Sequence, residues 1–92
     1  MIVTFACADT RALFETGRSR RFANILAAAE RKLTLLDAAA TLSALRVPPG
    51  NRLETLRGDL ADTYSIRVNN QWRICFSWTL DGPAEVRIID YH

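Results

Sequence analysis

The stretch Tyr64-Ser65-Ile66-Arg67-Val68, followed by Asn69-Asn70-Gln71 and then Trp72-Arg73-Ile74-Cys75-Phe76, decides the fold. Both flanking segments alternate apolar and polar side chains, the period of strands that bury one face. The length of the connection then selects the neighbours. A two-residue turn sets Arg67 opposite Trp72 and Ile66 opposite Arg73, which mixes the faces. A three-residue loop pairs Val68 with Trp72, Arg67 with Arg73, Ile66 with Ile74 and Tyr64 with Phe76. Only this register keeps one face apolar, and a slip of one residue turns every side chain over. Asn suits the loop, because three-residue hairpin loops need a left-handed position that Asn tolerates. Two arginines then stand side by side on an open face, where like charges directly opposite are destabilising. A face that accepts this cost points to a bound anion.

Working outward, Leu53 to Leu56 reads as an edge strand, with Gly58-Asp59 and Ala61-Asp62-Thr63 in a loop. After Trp78, Leu80-Asp81-Gly82-Pro83 has turn chemistry, and Glu85 to Tyr91 reads as the last strand. If Val86 and Ile88 face the core, alternation puts Arg87, Ile89 and Tyr91 on the arginine face and Asp90 on the other; a bulge swaps the end of that order. In the first half, Ile2 to Ala6 reads as a short strand. Asp9 or Thr10 caps a brief helix through Phe14 that Gly17 stops. Ser19 caps the main helix, Arg20 to Ala38, whose Phe22, Ile25, Leu26, Ala29, Leu33 and Leu36 share one side. A short helix over Thr41 to Leu45 precedes the breaker Val47-Pro48-Pro49-Gly50. Helices first and strands after them predict an α+β domain, with N-terminal helices packed on one face of a small, mostly antiparallel sheet. One domain spans residues 1–92.

Of the 92 residues 49% are apolar, which supports a folded globule. The net charge is only +2, but the cations are eleven arginines and one lysine. Arginine is a planar fork suited to phosphate, so the composition permits a nucleic-acid partner without requiring one. Met1-Ile2-Val3-Thr4-Phe5 has neither the basic lead nor the extended apolar core of a secretory signal. Cys7 and Cys75 lack metal-ligand spacing and sit in apolar-looking strands. They are expected to be reduced, buried thiols of a cytoplasmic protein.

The run Leu56-Arg57-Gly58-Asp59, the hairpin Tyr64 to Phe76 and the terminal Asp90-Tyr91-His92 together resemble the HigB toxins, the plasmid-maintenance killer branch of the RelE-like superfamily. Leu13-Phe14-Glu15-Thr16-Gly17 and Arg46-Val47-Pro48-Pro49-Gly50-Asn51 extend the resemblance over nearly the whole chain. The resemblance implies a ribosome-dependent endonuclease that cuts messenger RNA and is neutralised by a HigA-like helix-turn-helix antitoxin. It also implies that Asp90, Tyr91 and His92 supply catalytic or substrate-positioning groups. Arg57 falls where the family carries a basic residue, often lysine.

RNA cleavage by internal transfer needs a base for the 2′-hydroxyl, an acid for the leaving 5′-oxygen and cations for the phosphorane. The substrate supplies the nucleophile, so no metal or other cofactor is called for. The chain has one histidine and singly scattered carboxylates, unlike a metal-ligand cluster. Arg67 and Arg73 suit the phosphate role; the alternative is a solvated face paired to Glu85 or Asp59. Arg57 can add a phosphate contact. His92 titrates near neutrality without help, Tyr91 can stack on a base, and Asp90 can orient His92 or Arg73. Relatives carry a histidine in the Leu53-to-Arg57 segment where this chain has Glu54. Glu54 is either a weaker general base or a salt-bridge partner of Arg67 or Arg73. Arg11, Arg18, Arg20 and Arg21 form a second cluster, read as a solvated face or a contact for ribosomal RNA or antitoxin. Two further readings stay open: a toxin of the same fold acting by binding alone, as in the gyrase-inhibiting ParE branch, and a degenerate toxin retained as a co-repressor.

Overall fold

The predicted hairpin forms in the predicted register. The computed structural model describes residues 1–56 and 63–90. Its elements are helix α1 (Ala8–Thr16), a 3₁₀ turn (Ala23–Ile25), helix α2 (Leu26–Ala38), 3₁₀ turns at Leu42–Arg46 and Pro49–Asn51, and strands β1 (Glu54–Thr55), β2 (Thr63–Arg67), β3 (Trp72–Thr79) and β4 (Gly82–Asp90). The sheet order is β1-β2-β3-β4, with every neighbouring pair antiparallel. Tyr64 pairs with Phe76, Ile66 with Ile74 and Arg67 with Arg73. The Val68 amide donates to the Trp72 carbonyl at 2.9 Å, which closes the three-residue loop. Within that loop the Asn69 side chain accepts from the amides of Gln71 and Trp72, both at 2.8 Å. This is the local bonding that favours Asn in turns.

The apolar face of the hairpin meets both helices. Leu13 from α1, Phe22 and Ile25 from the turn before α2, and Ala29, Leu33 and Leu36 from α2 close on Ile66, Ile74, Phe76, Val86 and Ile88. Burying each large side chain contributes about 1.5–3 kcal/mol of transfer free energy. The structure is thus an α+β fold of RelE-like architecture, helices against one face of a four-stranded antiparallel sheet.

Four expectations need correction. The main helix does not run from Arg20: a 3₁₀ turn at Ala23–Ile25 precedes α2. Ser19 still accepts from the Phe22 amide at 3.1 Å, but Phe22 and Ile25 leave helical dihedrals. That break lets Phe22 meet Trp72 edge-on, with ring centroids 5.5 Å apart. Asp9 and Thr10 lie inside α1 rather than capping it. Thr10 is fully buried and accepts from the Ile88 amide at 3.0 Å, tying the helix to β4. Residues 2–6 run parallel beside β4 and hydrogen-bond to it at Pro83 and Val86, but the Phe5–Val86 bridge is isolated and no strand forms. There β4 is distorted, with Glu85 at φ 53 and a register shift against β3. Finally, β4 starts at Gly82 rather than Glu85, extending the last hairpin to its turn.

At φ 128, Gly82 takes a conformation that side chains disfavour, and a Cβ there would lie 2.3 Å from the Met1 carbonyl oxygen. Gly17 ends α1 at φ 72, as its sequence position predicts. The first helix-like turn after α2 is a 3₁₀ segment, capped by Thr41 accepting from the Ala44 amide. Among the described residues, no helix is long and apolar enough to cross a membrane.

Candidate functional site

Four of the predicted site residues lie near the loop end of the hairpin, Arg67, Arg73 and Glu54 on one face and Asp90, by the alternation of β4, on the other. Arg67 and Arg73 face each other across β2 and β3. Glu54 in β1 pairs with Ser65, two residues along β2 from Arg67. Asp90, at the end of β4, stands opposite Trp72. Alternation holds along β4: Ile89 is opposite Arg73 and Arg87 opposite Cys75, while Val86 and Ile88 are buried in the core. Arg57, Tyr91, His92 and Asp59 lie outside the described residues.

The two arginines are not equivalent, and the expectation of an open face fails for Arg73. It is 6% exposed. Its Nε donates to Ser65 Oγ at 2.8 Å, and its Nη2 donates to the carbonyls of Arg52 at 2.6 Å and Ser65 at 3.2 Å. Nη2 also stands 3.8 Å from Glu54 Oε2. The segment before β1 makes this possible. After the 3₁₀ turn Pro49–Asn51, Arg52 adopts a left-handed conformation at φ 45, and its carbonyl meets the guanidinium. A buried charge requires such hydrogen bonding. Glu54 is therefore an ion-pair partner of Arg73, with its own side chain 49% exposed.

Arg67 is half-buried, and its Nη2 donates to the Asn70 side-chain oxygen. Gln71 Nε2 donates to Asp90 Oδ2 at 3.1 Å. The loop thus links Arg67 on one side to Asp90 on the other. Sequence reading treated Asn70 and Gln71 only as turn residues and did not single out Ser65 or Arg52. The alternation does put Ser65 on the arginine face, but nothing in the sequence marks the Arg52 carbonyl.

Two residues from Arg73 along the same face of β3, Cys75 is fully buried. Burial pushes its thiol up, against the lowering charges of Arg87 and Arg73. Cys7 is only half-buried and lies at the start of α1 rather than in a strand. For Cys7, burial acts upward but is outweighed by hydrogen bonds from Thr10 and the Asp9 backbone and by Arg21, so its thiol is lowered. Neither cysteine is in a disulfide. Arg21 also pairs with Asp9 at 3.3 Å and Arg11 with Glu15 at 3.2 Å, both exposed. Among the described residues, no three His, Cys, Asp or Glu side chains gather as metal ligands.

Chemically, this arrangement offers a fixed, buried guanidinium under the sheet surface, a more accessible one beside it, and an exposed carboxylate held at the edge. That is a cationic seat for an anion with a carboxylate next to it.

Comparison with known proteins agrees. The chain is 53% identical to Toxin HigB-1 of Vibrio cholerae over 62 residues, which cover 67% of this chain and 64% of that protein. It is 38% identical to an uncharacterized protein of Haemophilus influenzae over 55 residues, 60% of this chain and 54% of that protein. The matches thus span less than two thirds of either relative's length. The family description "RelE-like toxin of type II toxin-antitoxin system HigB" matches residues 5–92. With the sheet, the helix layer and the paired arginines in place, that match over nearly the whole chain makes it a member of the HigB family of RelE-like type II toxins.

Proposed function

We propose that the protein is a ribosome-dependent endoribonuclease that cuts messenger RNA by attack of the 2′-hydroxyl on the adjacent phosphate. The observation that carries this reading is the cross-strand pair Arg67–Arg73 with Glu54 beside it. Arg67 contacts the scissile phosphate, and Arg73 fixes Glu54 and adds positive potential from below. Charge preorganised in this way is the largest single contribution in many such reactions. Glu54 is the candidate general base. Asp90, Tyr91 and His92 are the candidate acid and positioning groups, and Arg57 a further phosphate contact, as the resemblance implies. No metal enters this scheme, because the 2′-hydroxyl is part of the substrate.

The partners that follow are the ribosomal decoding site with its messenger, and a HigA-like helix-turn-helix antitoxin. A chemistry spread over few side chains fits a reaction in which ribosomal RNA orients the substrate. The site of action is then the cytoplasm.

A second reading has one observation in its favour. Arg73 is engaged by Ser65, Arg52 and Glu54, as in a toxin that binds its target or antitoxin without cutting RNA. The test is to add the protein to a programmed ribosome complex and map messenger ends, with Arg67→Ala as control. Cleavage at the decoding site that is lost in the control supports the nuclease. Intact messenger with demonstrated ribosome binding supports the second reading.

A further inference from the structure

We propose that Lys32, held beside Arg67 by the buried Asn51, is a second phosphate-binding group that takes the RNA phosphate next to the one at the hairpin. The proposal rests on the RNA-directed reading above, and its test separates the two.

Lys32 is the chain's single lysine. It projects from α2 to the 3₁₀ turn before β1, where its Nζ donates to Asn51 Oδ1 at 2.5 Å. Asn51 is fully buried, and its Nδ2 donates to the carbonyls of Leu45 at 3.1 Å and Val47 at 3.2 Å. Those two bonds use both amide hydrogens, so the oxygen is the atom that faces the ammonium. The anchor is thus fixed in position and in orientation. An ammonium carries three donors, and Asn51 takes one of them.

The setting is cationic. The turn Pro49–Asn51 packs against β2, and the β1–β2 register brings the residues just before Glu54 alongside Arg67. Burial, then the charges of Arg31 and Arg67, lower the Lys32 pKa. Among the described residues, no carboxylate lies within ion-pair distance of Lys32, Arg31 or Arg67. Three cations with no counter-ion among the described residues, one of them locked by a buried amide, match a polyanion arriving from outside. A groove of about 440 Å³ is lined by Arg31, Lys32, Leu35 and Pro48 among others. Its largely apolar lining, with Arg31 and Lys32 in it, suits the sugars of a nucleotide whose phosphate Lys32 holds.

The test uses the full chain and an RNA oligomer 2′-O-methylated throughout, so that binding is read without cleavage. Anisotropy titrations over a salt series compare wild type with Lys32→Met and Lys32→Arg, each checked for folding by circular dichroism. Loss of one phosphate contact should weaken binding roughly three- to tenfold and cut the log–log salt slope by about 0.7. Lys32→Arg should restore both. On programmed ribosomes, Lys32→Met should raise KM with kcat kept within about twofold. Unchanged affinity and slope in Lys32→Met, or no RNA binding by wild type, overturns the proposal. So does Lys32-dependent binding of an acidic peptide with RNA binding untouched. Lys32-dependent RNA binding without any cleavage keeps the phosphate site and removes the nuclease reading; cleavage indifferent to Lys32 does the reverse.

Discussion

Arg67 and Arg73 are direct cross-strand partners, yet only one of them is enclosed: Arg73 is 6% exposed and bonded to Ser65 and Arg52, whereas Arg67 is half-buried and bonded to Asn70 in the loop. Their roles divide accordingly. Replacing Arg73 by Ala strands the Ser65 hydroxyl and two carbonyls, and should cost about 2–4 kcal/mol of stability. Urea denaturation reads this directly, and any loss of activity in that variant must be measured where it is still folded.

Arg67→Ala should behave in the opposite way. It removes one of two facing like charges, so its stability should stay within about 0.5 kcal/mol of wild type. Its messenger cleavage should fall by roughly 10²-fold or more. A variant that keeps full cleavage would remove Arg67 from the phosphate role.

Glu54→Gln isolates the carboxylate. In the ion pair with Arg73 the Glu54 side is half exposed and the separation is long, 3.8 Å. Arg73 keeps its bonds to Ser65 and Arg52, so the loss should cost about 1 kcal/mol. In the proposed role of general base, however, Glu54 should carry about 10²- to 10⁴-fold of the cleavage rate. Single-turnover cleavage near wild-type rate would transfer the base role to the terminal Asp90-Tyr91-His92.

The two thiols should separate in reactivity. Thr10, the Asp9 amide and Arg21 lower Cys7 against the effect of burial, while burial raises Cys75. Iodoacetamide should therefore modify Cys7 in the native protein and leave Cys75 untouched until unfolding, as mass mapping would show. The Cys75 shift also sets a sign for stability. Above the ordinary thiol pKa of about 9.0, the unfolded chain has lost a proton that the native chain retains. Stability should then fall as pH rises through that window, and Cys75→Ala should flatten the decline.

Gly82→Ala places a methyl group 2.3 Å from the Met1 carbonyl oxygen at a φ of 128. Backbone must move to relieve it, at a cost of about 1–3 kcal/mol. Thermal melts should show the loss, and amide exchange should rise at Val3, whose amide donates to Pro83.

The hairpin was legible because alternation and a three-residue loop leave one register with an apolar face. The same logic placed Glu54 at the edge and Arg87 and Ile89 on the arginine face. What escaped was Arg73's burial. It depends on a backbone carbonyl, that of Arg52, brought in by a left-handed residue after two prolines and a glycine. Side-chain patterning says nothing about where a carbonyl will point. The break before α2 was hidden for a related reason. Phe22 and Ile25 are spaced as a helix would space them, and only Trp72, far along the chain, requires them to leave it.

The bond from the Ile88 amide to the Thr10 hydroxyl spans 78 residues, and the one from the Glu85 amide to Thr4 spans 81. Contacts of such separation close late and slow the search for the native state. A ribosome making this chain releases α1 and the Arg67–Arg73 hairpin before the strand that ties them together. The sheet that seats Arg67 and Arg73 is therefore complete only once β4 has been made, and a shorter nascent chain lacks the strand that ties α1 to it.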